Sequence, residues 1–73
     1  MNLDTLMQVS LMIYDELSTD KAKESKAIIK KIDRAKSDQD WKDGIVAAVA
    51  RLRELGKTAM ADNIQSQTKG FAF

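Results

Sequence analysis

A chain of 73 residues with a formal net charge of +1 is one domain, too small to bury more than about 60% of the surface its unfolded form exposes. It contains no Cys and no His, which excludes a disulfide and removes the usual zinc ligands, so self-association or unusually good helix packing must support so small a fold. With 44% hydrophobic and 32% charged residues, it is not disordered throughout, and the near-neutral total does not by itself point to nucleic acid.

The first predicted element is a helix over Leu3–Leu17, with Asn2 as its N-cap. At about 100° per residue, Leu3, Leu6, Met7, Leu11, Ile13, Tyr14 and Leu17 fall on one face, and Val9 extends it. The apolar arc covers roughly 200°, twice what a surface helix needs. Such a helix requires partners on two sides, and the second is expected to be another chain. Ser10 lies near the middle of the arc, where a small residue permits close approach and its hydroxyl can bond back to a helix carbonyl.

Ser18-Thr19-Asp20 supplies a break and a new cap. A second helix is predicted over Lys21–Lys36, with Ala22, Ser25, Ile28, Ile29, Ile32 and Ala35 as a narrow buried stripe. Its opposite face carries Lys23, Lys26, Lys30, Lys31 and Arg34, flanked by Glu24 and Asp33.

Ser37 followed by Asp40 approximates a capping box. The third helix, Asp40–Leu55, carries a core stripe of Trp41, Ile45, Ala48, Val49, Leu52 and Leu55. Gly44 beside that stripe costs about 1 kcal/mol against Ala, which a close helix crossing would explain. Gly56 is the expected left-handed residue after the helix end, where Arg51, Arg53 and Lys57 suit the negative pole of the dipole. A fourth, weaker helix runs over Thr58–Gln67, capped by Thr58, with Met60, Ala61 and Ile64 as its stripe.

Strand-like alternation is absent, the chain has no Pro, and the loops are short. The expectation is an all-α fold, a compact three- to four-helix bundle in a single domain over 1–69, with an apolar C-terminal tail over 70–73. The two Phe residues of that tail, Phe71 and Phe73, point to one side if it is extended.

No enzyme is expected. No His or Cys can serve as base or nucleophile, no phosphate-binding Gly loop exists, and a chain this small has little room for a cleft. Asp38, Asp40 and Asp43 do not match a calcium loop and read as capping residues. No catalytic residue, cofactor, metal or small-molecule substrate is therefore predicted. Asp4 close to the start argues against a secretory leader, and no apolar run approaches the roughly 20 residues of a membrane span. The acidic polar face of the first helix is unlike that of membrane-lying helices. A cytoplasmic protein without membrane contact is expected, of the size common among bacterial and phage accessory proteins.

The functional expectation is a small regulatory or adaptor protein, or an inhibitor, that binds itself as a homodimer, another protein, or both. Its candidate interface is Leu3, Leu6, Met7, Val9, Leu11, Ile13 and Tyr14, together with Phe71 and Phe73. The alternative is a nucleic-acid binder using Lys23, Lys26, Lys30, Lys31 and Arg34.

Overall fold

The computed structural model describes residues 3–69. Four helices follow in chain order: α1 (Leu3–Leu17), α2 (Lys23–Asp33), α3 (Asp38–Glu54) and α4 (Thr58–Gln67). They form an all-α bundle measuring 30 × 25 × 17 Å. The central element is α3, packed against all three others, and α1 also touches α2 and α4. The predicted N-cap Asn2 and the tail residues Phe71 and Phe73 lie outside the described residues.

Each helix end has a local cause. Asp20, ahead of α2, accepts the Ala22 N–H on Oδ1 at 3.2 Å. Ala22 itself is extended (φ −66°, ψ 147°) and starts the helix two residues later than the periodicity suggested. The far end also stops early, at Asp33, where the C-cap Arg34 leaves helical geometry (φ −96°, ψ 2°) ahead of the extended α3 N-cap, Ser37 (φ −129°, ψ 165°). Its Oγ accepts the Asp40 N–H at 3.2 Å, and Asp40 Oδ2 accepts the Lys36 N–H at 3.1 Å. The result is a capping box whose return arm reaches one residue further back than usual.

At the end of α3, Gly56 has φ +78°. Its N–H bonds the Arg53 carbonyl and the Lys57 N–H bonds the Leu52 carbonyl, at 3.0 and 2.8 Å. This pair of bonds is a Schellman motif, which needs a residue in the left-handed region. The turn makes Lys57, not Thr58, the N-cap of α4. Lys57 caps with no side-chain bond, so the expected Thr58 cap is not made.

The core comprises Leu6, Val9, Ile13 and Leu17 from α1, Ile28 and Ile32 from α2, Ile45, Ala48, Val49 and Leu52 from α3, and Ala61 and Ile64 from α4. Trp41 and Met60 pack against it, partly exposed. The crossing of α2 over α3 is close at Gly44. A Cβ there would stand 2.8 Å from Ile32 Cγ1, so the helix-propensity penalty of this glycine is the condition for the approach.

Candidate functional site

The 200° apolar arc of α1 divides into two rows. Leu6, Val9, Ile13 and Leu17 form the inner row and are buried within the chain's own core. The expectation that Leu6, Val9 and Ile13 serve an interface therefore fails, since no surface of theirs is left for a partner. Leu3, Met7, Leu11 and Tyr14 form the outer row and are 65%, 57%, 64% and 53% exposed. Their spacing of four, four and three residues keeps them on one side of the helix. Among the described residues the one other large apolar side chain so exposed is Val46, on α3.

Ser10 borders the outer row on the side of α2. Its Oγ donates to the Leu6 carbonyl at 2.7 Å, which satisfies the hydroxyl within the helix. Beside it, a cavity of about 30 Å³ lies among Ile13, Tyr14, Ile29 and Ile32, room for about one water molecule. Toward the C-terminal end of α1, Tyr14, Leu17 and Ile29 floor a shallow groove of about 310 Å³, rimmed by Lys21, Lys26 and Lys30.

The basic residues of α2 and its C-cap all reach the surface: Lys23, Lys26, Lys30, Lys31 and Arg34 are exposed. None of the five makes an ion pair or side-chain hydrogen bond with a described residue. Around the end of α3 the pattern is the opposite. Arg51 pairs with Asp20 and Glu54, Arg53 with Asp62, and Lys57 with Glu16.

One polar cluster was not foreseen. Ser25 sits in the α2 core stripe with no exposed surface. Its Oγ donates to Asp20 Oδ2 at 2.5 Å and accepts from Arg51 Nε at 3.1 Å. Arg51 Nη2 donates to the same Asp20 oxygen at 2.8 Å. The Ser25 hydroxyl, then Arg51, then the Ala22 N–H hold the Asp20 carboxyl down from 3.8 to about 2, and Asp20 in turn raises Arg51. The available signal was a lone hydroxyl in an aliphatic stripe five residues after an aspartate. Arg51 lies too far along the chain to be matched to it by spacing. Each member is engaged by the others, so the cluster ties the α1–α2 turn to α3 and offers no free base or nucleophile.

Asp40 and Asp43 are likewise used locally, Asp43 accepting from Gln39 Nε2 at 2.8 Å. Among the described residues there is no group of three or more His, Cys, Asp or Glu placed to hold a metal ion. No described helix is long and apolar enough to cross a membrane. Compared with protein-family models, curated proteins and solved structures, the chain matches none.

Proposed function

We propose that this chain is a small non-enzymatic protein-binding module, of the adaptor, inhibitor or regulatory-subunit kind, that acts as a cytoplasmic homodimer through the outer row of α1. The observation that carries the reading is the row of Leu3, Met7, Leu11 and Tyr14, each more than half exposed, on a helix whose other apolar row already fills the core. Four such side chains present on the order of 400–500 Å² of apolar surface, toward the upper end of what monomers leave in one patch. Two copies joined row to row, with their polar borders, approach the roughly 1,200 Å² at which specific interfaces begin. Met7 adds a flexible side chain that adapts to the facing surface.

A second copy is the occupant that meets the fold's own need. The chain has no Cys and no His, and association is one of the two supports left open to so small a core. Leu11→Glu tests the reading by light scattering on a sizing column, because the side chain is exposed and its change leaves the core intact. The wild type elutes with the mass of two chains and the variant with the mass of one. A wild type of 8.2 kDa at high micromolar concentration contradicts the proposal.

A further inference from the structure

We propose that the outward face of α2 binds the phosphate backbone of nucleic acid without reading its sequence. Between Lys21 and Lys36 the chain carries seven basic against two acidic residues, although the whole chain has a net charge of only +1. Lys23, Lys26, Lys30, Lys31 and Arg34 are exposed and make no ion pair with a described residue, whereas Arg51, Arg53 and Lys57 each have a carboxylate partner. Arg51, Arg53 and Lys57, which join helices, are thus neutralised, while the cations along α2 are left without a carboxylate partner among the described residues.

Three features select the ligand class. From Lys23 to Arg34 the array runs about 16 Å along the helix, at 1.5 Å per residue, a linear spread that suits a polyanion better than a single carboxylate. The middle of the face holds Ala27 and no large apolar side chain. The apolar residues at its edge, Tyr14, Leu17 and Ile29, floor a groove beside Lys26 and Lys30, an arrangement unlike the broad apolar face of a membrane-lying helix. Lysine is depleted from the cores of protein–protein interfaces, which argues against an apolar protein partner on this side. The absence of Asn and Gln from α2 leaves little with which to read bases, so phosphate contact dominates. Glu24 and Asp33 border the array and limit its strength without covering it. The face stands on α2 and the apolar row on α1, so the inference does not depend on the dimer.

The test is a fluorescence-anisotropy titration of the whole protein against labelled mixed-sequence strands of about 20 nucleotides, as duplex DNA, single-stranded DNA and RNA. Binding is expected to fall about 500-fold between 50 and 200 mM salt if all five cations engage a duplex, a log–log slope of about −4.5. Lys30→Glu with Arg34→Glu, folded by circular dichroism, reduces affinity at least tenfold and flattens the slope by about two. Asp33→Asn, which removes a flanking acid, tightens binding severalfold. No binding at 50 mM salt, affinity unchanged in the charge-reversed variant, or equally tight binding to poly-glutamate, a polyanion without phosphate, would each overturn the proposal.

Discussion

Gly44 lies directly against Ile32, so closely that a methyl group on it would stand 2.8 Å from Ile32 Cγ1. Two effects of opposite sign meet at this position. Alanine gains about 1 kcal/mol of helix propensity over glycine. Forcing a methyl into a packed crossing costs about 1–3 kcal/mol, and Ile32 is a buried core residue. Packing wins, and Gly44→Ala is expected to destabilise by about 1 kcal/mol in urea unfolding. Ile32→Ala removes the clashing atom, so in that background Gly44→Ala becomes stabilising. Additive effects in the double-mutant cycle would show that the two residues do not limit each other.

Gly56 provides a contrast. Nothing lies within 4 Å of a Cβ built there, yet its φ is +78°. Gly56→Ala therefore costs backbone strain alone, about 1–2 kcal/mol. Gly56→Asn recovers part of that loss, because Asn tolerates the left-handed region better than Ala. Equal melting temperatures for the Ala and Asn variants would rule out the conformational explanation.

The pH dependence follows from Asp20. Its folded pKa, about 2, lies below its ordinary 3.8, so the folded state favours the ionised form. The stabilisation is complete above the unfolded value and is lost as pH falls from about 4 through 2. The melting temperature of the wild type should drop across that window. Asp20→Asn should be less stable at pH 7 and show a shallower acid transition. Parallel curves for the two proteins would remove Asp20 from the acid response.

Ser37 caps α3 with a bond to the Asp40 N–H, and Ser37→Ala should cost about 1 kcal/mol. Ser37→Asp should restore most of it, since an aspartate also accepts that N–H and suits the helix N-terminus. A variant series with no change in unfolding midpoint would mean that the cap contributes nothing measurable.

How much of this was legible depends on whether its cause was local. Gly44 was legible as a propensity cost although its partner Ile32 was not, whereas Gly56 and the Ser37 cap are written within a few residues of where they act. The width of the α1 arc was legible for the same reason. Its division was not: which half becomes core depends on where α2, α3 and α4 come to rest, and that is settled by contacts across the chain. Periodicity alone therefore assigned Leu6, Val9 and Ile13 to the same surface as Leu3 and Leu11. The late start of α2 reflects Asp20 binding the Ala22 N–H, a turn that competes with helix and leaves no trace in the apolar pattern. Ser25 and Arg51 were visible only as separate residues, because their meeting requires α2 and α3 to be already packed.

The outer row of α1 is the centre of the functional account, and sedimentation equilibrium of the unmodified chain across a wide concentration range tests it most directly. The account predicts a reversible monomer–dimer equilibrium that tends to twice 8.2 kDa at high concentration and shifts wholly to monomer in Leu11→Glu. A wild type that stays at one chain mass throughout, or a Leu11→Glu variant that dimerises as tightly as the wild type, would contradict it.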